Sequence, residues 1–135
     1  AMASGSNPQP MGSAHPNLVP YRAFKANDGW FVIGVGSDNQ WSALAAFLSI
    51  PAQDEWSTNE GRVLNRASVE KAVADAVSSM SRHELESLLV GIPCAPVNTV
   101  LEALNDPQSV SRGAVTQHQG VDVLASPLRF MHPSE

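Results

Sequence analysis

Apolar and polar positions alternate along Tyr21-Arg22-Ala23-Phe24-Lys25, and Trp30-Phe31-Val32-Ile33-Gly34-Val35 follows as a run of aromatic and β-branched residues. Asn27-Asp28-Gly29 between them tolerates positive φ, so the pattern predicts a β-hairpin. Beyond it the period lengthens. Trp41, Leu44, Ala45 and Leu48 recur at three- and four-residue spacing, which predicts a helix from a Ser37 or Asp38 cap to about Ser49, stopped by Pro51. Glu55 to Gly61 is polar and reads as a loop or a short turn of helix. Val63, Ala67, Val69, Val73, Val77 and Met80 return to helical spacing. Asn65 or Ser68 can restart a cap there, so Arg62 to Met80 reads as one helix or two. Ser81 and Glu84 form a capping-box pattern ahead of Leu85, Leu88 and Leu89, and Gly91 supplies a left-handed end.

Ile92-Pro93-Cys94-Ala95-Pro96 is expected to be extended, because each proline disfavours helix in the residue before it. Asn98 is expected to open a short helix over Val100, Leu101 and Leu104, and Asp106-Pro107 another that ends near Gly113. Ala114 to Gln117 and Val121 to Leu124 read as a closing pair of strands. Strands near both ends with helices between them predict an α+β fold, a small antiparallel sheet with several helices packed on one face. Pro8, Pro10, Pro16 and Pro20, with Gly5 and Gly12, make the first twenty residues an extended loop rather than helix or central strand.

Composition narrows the function classes. A chain of 135 residues supports one domain with one core, and 43% hydrophobic content excludes wholesale disorder. Thirteen Asp and Glu against eight Lys and Arg give a net charge of −5, which argues against a nucleic-acid partner, since a phosphate-backbone binder needs a basic face. No apolar run approaches the roughly 20 residues that cross a bilayer, so no membrane partner is expected. Ala1 to Pro20 lacks the layout of a signal peptide. A lone cysteine, Cys94, makes no internal disulfide, and a reducing, cytoplasmic setting is the simplest expectation.

Candidate chemistry is sparse. Val32-Ile33-Gly34-Val35-Gly36-Ser37-Asp38 has the opening half of a dinucleotide-binding turn, but Asn39 stands where a third glycine belongs and the preceding strand is in an antiparallel hairpin. The two glycines read instead as permitting a sharp strand-to-helix turn. His15, His83, His118 and His132 show no metal-ligand spacing, and no metal site is expected. His83 reads as solvated. His15, beside Asn17 in a Gly/Pro-rich loop, is either a plain surface histidine or a functional loop residue. Cys94, between prolines, reads as a small packed residue rather than a nucleophile. Asp54, Glu55 and Glu60 read as a solvated loop. Arg62 and Arg66, four apart on one helical face, are either an anion site or two solvated charges. Residue chemistry alone gives no self-sufficient catalytic set.

An ordered series of short motifs goes further. Gly12-x-x-His15-Pro16-Asn17-Leu18-Val19-Pro20-Tyr21 is followed by Asp28-Gly29-Trp30 and Val35-Gly36-Ser37-Asp38-Asn39-Gln40-Trp41. Downstream come Thr58-Asn59, Arg62-Val63-x-Asn65-Arg66, Gly91-Ile92-Pro93-Cys94-Ala95-Pro96-Val97, and Asp106-Pro107-Gln108 with Arg112-Gly113. From about Gly12 to Phe130 the chain closely resembles the smaller domain of family III CoA-transferases, the group containing carnitine CoA-transferase, formyl-CoA transferase and α-methylacyl-CoA racemase.

The resemblance implies a division into a Pro/Gly-rich loop or severed connection (1–20), a CoA-transferase-like small domain (21–125) and the start of a return segment (126–135) to a larger domain of the same polypeptide. That larger domain carries the CoA pocket and the catalytic aspartate, and two subunits interlock as a homodimer. None of Asp28, Asp38, Asp54, Asp75, Asp106 or Asp122 inherits the catalytic role, and no tightly bound cofactor is implied, acyl-CoA being a substrate. Some relatives cover the active site with a glycine-rich loop near this place, which implies an active-site-facing loop at Gly12, Ser13, Ala14, His15 and Pro16, here with a single glycine. The expected function is therefore that of a small domain roofing the cleft of an acyl-CoA:carboxylate CoA-transferase and inactive alone. An α-methylacyl-CoA racemase fragment and a stand-alone binding module are the alternatives.

Overall fold

The structure is a computed structural model that describes residues 5, 7 and 9–128. The chain separates into two compact units, one ending at Val97 and the other beginning at Asn98.

The first unit is built on the predicted hairpin. Strands β1 (Tyr21–Lys25) and β2 (Trp30–Gly34) pair antiparallel with Tyr21 opposite Gly34 and Lys25 opposite Trp30. The proline-bracketed segment supplies a third strand, β3 (Cys94–Val97), on the other side of β2, with Trp30 opposite Val97. Phe24, Phe31 and Ile33 project from one face of this sheet into a single apolar core shared with the helices.

Helix α1 (Asp38–Phe47) starts at Ser37, whose side chain accepts a hydrogen bond from the Gln40 backbone N–H. It buries Trp41, Leu44 and Leu48, and Ser49 at φ +53° ends it before Pro51 is reached. The polar stretch after it takes the short-turn alternative. Asp54–Trp56 forms a 3₁₀ turn that buries Trp56 against Trp41, ring centroids 6.1 Å apart. Two helices follow, α2 (Asn59–Leu64) and α3 (Arg66–Val77), separated at Asn65. Val69, Val73 and Val77 are fully buried on α3.

Gly34 and Gly36, expected to permit a sharp strand-to-helix turn, do so without positive φ. At Gly34 the reason for glycine is space, because a Cβ there would sit 2.9 Å from the Tyr21 ring. Gly36 donates its N–H to the Gln40 side chain at 2.8 Å.

Helix α4 (Arg82–Leu88) carries the predicted capping box. Glu84 accepts hydrogen bonds from the backbone N–H and the hydroxyl of Ser81, both at 2.7 Å, and these hold its carboxyl below the ordinary carboxylate range. A carboxyl whose pKa falls on folding adds stability above its unfolded pKa and loses it as pH drops through the folded value. Melting temperature followed from about pH 6 to about pH 2 should therefore fall less steeply for Glu84→Gln than for the native chain. Equal slopes would show that the box adds no acid sensitivity.

The second unit contains α5 (Val100–Asn105), α6 (Pro107–Ser111) and a hairpin of β4 (Val115–His118) and β5 (Val121–Leu124). Thr99, not the expected Asn98, caps α5, because Thr99 and Glu102 complete a second capping box. Asp106 caps α6 as expected. The fold is α+β as the pattern implies, with the strands divided between a three-stranded and a two-stranded antiparallel sheet rather than gathered in one. None of the described residues of the second unit is buried. No helix among the described residues is long and apolar enough to cross a membrane.

Candidate functional site

The loop from Gly12 to Pro16 is fastened to the outer edge of β1. Gly12 adopts φ +61° in a turn closed by the Ala14 N–H donating to the Met11 carbonyl at 3.0 Å. The Ser13 hydroxyl accepts from the Ala23 N–H at 3.1 Å, and the His15 N–H donates to the Tyr21 carbonyl at 2.9 Å. The His15 ring lies 5.4 Å from the Tyr21 ring. Its Nδ1 accepts from the Asn17 N–H at 3.0 Å, which places the proton of the neutral ring on Nε2.

A second set of contacts grips the segment that follows. Arg66 donates to the Pro16 carbonyl at 2.7 Å, and Asn59 to the Asn17 carbonyl at 2.8 Å. The Val19 N–H donates back to the Asn59 side-chain oxygen at 3.3 Å. Arg62 donates to the Val19 carbonyl at 2.7 Å. Asn59, Arg62 and Arg66 recur three and four residues apart, so α2 and the start of α3 present them to the same stretch of chain. The separated motifs of the sequence thereby converge. The roles of Asn59, Arg62 and Arg66 as anchors were not read from the sequence, although their spacing as one polar stripe was available to show it.

Arg62 corrects an expectation. Neither an anion site nor a solvated charge, it is fully buried. Beyond Val19 it donates to the carbonyls of Trp56 and Ser57 at 2.9 and 3.3 Å and to Asp38 Oδ1 at 2.9 Å, with its guanidinium 5.4 Å from the Trp41 ring. Arg66 is likewise committed, pairing with Glu70 at 3.1 Å, which also holds Arg22 at 2.7 Å. A groove of about 370 Å³ between β1 and α3 is bordered by Arg22, Lys25 and Lys71. Its arginine and Lys71 are already paired, Lys71 with Asp75 at 2.6 Å, so the groove offers little free charge.

The other singled-out residues stay apart. His83 and His118 are exposed, and His132 lies outside the described residues. Among the described residues no cluster of three metal-ligating side chains forms. Cys94 is half-buried on β3, and loss of solvation raises its thiol pKa, so it is not primed as a nucleophile. Several of the aspartates do structural duty. Asp38 holds Arg62, Asp28 accepts from the Arg82 N–H at 2.9 Å, and Asp106 caps α6.

A small α+β unit that straps a histidine-bearing loop along a sheet edge, with arginines from two short helices as fasteners, is the architecture the chain presents. It belongs to CoA-transferase family III, which it matches over residues 1–133. Among relatives, it is 27% identical over 150 residues to a succinate–glutarate CoA-transferase of Agrobacterium fabrum, covering 98% of this chain and 38% of that protein. It is 31% identical over 115 residues to the succinyl-CoA:glutarate CoA-transferase of Homo sapiens, covering 78% of this chain and 25% of that one. The crystal structure of a CaiB/BaiF family protein from Brucella suis superposes with a TM-score of 0.87 at 37% identity, over 96% of this chain and 35% of that one. The chain thus spans well under half the length of the relatives it matches.

Proposed function

We propose that this chain is the small-domain part of an acyl-CoA:carboxylate CoA-transferase, and that the strapped loop at Gly12–Pro16 faces the cleft where acyl-CoA and a carboxylic acid exchange the CoA thiol. The observation that carries the reading is the lopsided match to the Brucella suis structure, nearly all of this chain against about a third of that one. A second unit none of whose described residues is buried fits a piece shaped to pack against something larger. The named relatives are CoA-transferases, which favours thiol exchange over α-proton transfer. Their acids are short dicarboxylates, and we assign the same substrate class here.

In this arrangement the small domain contributes shielding rather than chemistry. Acyl anhydrides and thioesters hydrolyse in water, so a roof that excludes solvent protects transfer. A loop held at Ser13, His15 and Pro16 has its position set before substrate arrives. The chain on its own is expected to give no transfer from succinyl-CoA to glutarate above the uncatalysed rate, whereas the full product of its gene transfers. Robust turnover by the 135-residue chain would overturn the reading, as would a full gene product that lacks a further domain.

A further inference from the structure

An antiparallel sheet with one face in water normally alternates apolar and polar residues along each strand. Strand β2 does not: Trp30-Phe31-Val32-Ile33-Gly34 is apolar throughout. Phe31 and Ile33 point into the core, so Trp30 and Val32 point away from it. The register sets them in cross-strand rows. Trp30 lies between Lys25 and Val97, and Val32 between Ala23 and Ala95. In the next row the Tyr21 ring reaches across Gly34. Lys25 is the single charged side chain in these rows, and its ammonium sits 5.7 Å from the Trp30 ring. Among the described residues this face stays open: Trp30 is 50%, Val97 45% and Tyr21 39% exposed. A face of aromatic and small apolar side chains in contact with water marks a surface meant for a partner.

The candidate loop borders the same face, since Ser13 and His15 bond to the outer edge of β1 and His15 packs on Tyr21. The larger part of the family III fold, which the Brucella suis protein carries in the portion this chain does not span, is a partner of sufficient size.

We propose that the outer face of the β1–β2–β3 sheet, centred on Trp30 and Val32, docks onto the larger domain of the family III fold. It would meet an apolar surface with a carboxylate placed at the rim for Lys25. This rests on the functional reading above and adds where the two domains meet.

Tryptophan fluorescence tests it directly. Trp41 and Trp56 are each 5% exposed, so in the 135-residue chain acrylamide quenching reports on Trp30. Trp30→Phe should remove most of the quenchable emission. In the full gene product, the difference between the native protein and Trp30→Phe isolates the same ring, and its quenching constant should fall at least about threefold on docking. Val97→Asp should lower the melting temperature of the full product by about 5 °C or more while leaving that of the isolated chain nearly unchanged. A gene product that transfers CoA while Trp30 remains as quenchable as in the isolated chain would overturn the docking assignment and leave the function standing. A gene product with no further domain and no transfer would overturn both. Dimerisation of the isolated chain with Trp30 shielded would give the face to a second copy and also overturn the assignment.

Discussion

Arg62→Ala is expected to cost about 3–5 kcal/mol of folding stability, much of what a small domain possesses. The arginine is fully buried, and its guanidinium donates to three backbone carbonyls, those of Val19, Trp56 and Ser57, and to Asp38. Truncation leaves a cavity beside Trp41 and strips the Val19 and Trp56 carbonyls of their donor. Each buried acceptor without a partner costs about 1–3 kcal/mol. Arg62→Lys keeps the charge but not the planar fork, so it should recover only part of the loss. The half-way point of urea unfolding measures the effect, and Arg66→Ala, which removes a partly exposed pair with Glu70, should shift it much less. A native-like midpoint for Arg62→Ala would show that the strap from Pro16 to Val19 holds without it.

The burial of Arg62 also marks where the sequence stops being legible. Periodicity located the hairpin and α1, and allowed the α2–α3 pair as one of its two readings, because each depends on residues a few positions apart. The capping boxes are similarly local, and Ser81 with Glu84 was readable while Thr99 with Glu102 was passed over for the neighbouring Asn98. Arg62 differs. Two of its partners, Val19 and Asp38, lie 43 and 24 residues away, and nothing near it in the chain distinguishes a buried arginine from a solvated one. Trp56 is a parallel case: a polar surrounding allows a loop or a short turn of helix, but does not show that the indole is buried against Trp41 by tertiary packing. The motif series carried the family where residue chemistry did not, since most of its polar members anchor one another rather than form a reacting centre. The candidate loop was legible as a position only. That it is strapped at Ser13, His15 and Pro16 depends on contacts with β1 and α3 that no local pattern encodes.

Gly61→Ala should run against helix propensity. Alanine is favoured over glycine inside a helix by about 1 kcal/mol, and Gly61 lies within α2 with no left-handed backbone to protect. A Cβ at this position would nevertheless overlap the Glu55 carbonyl oxygen and come within 3.3 Å of the Thr58 hydroxyl. Neither neighbour is free to give way. The Glu55 carbonyl is backbone in the 3₁₀ turn whose Trp56 carbonyl accepts from Arg62, and Thr58 caps α2 by accepting from the Gly61 N–H at 3.2 Å. Relief of the overlap must move the turn, the cap or the helix, and each movement loosens the arginine beside it. A loss of about 1–3 kcal/mol is expected from such overpacking. Because the same turn serves both residues, the Gly61→Ala and Arg62→Ala losses should fall short of additivity in the double variant, read from urea midpoints. A neutral or stabilising Gly61→Ala would mean that the Asp54–Trp56 turn yields freely, and that Arg62 does not depend on where it sits.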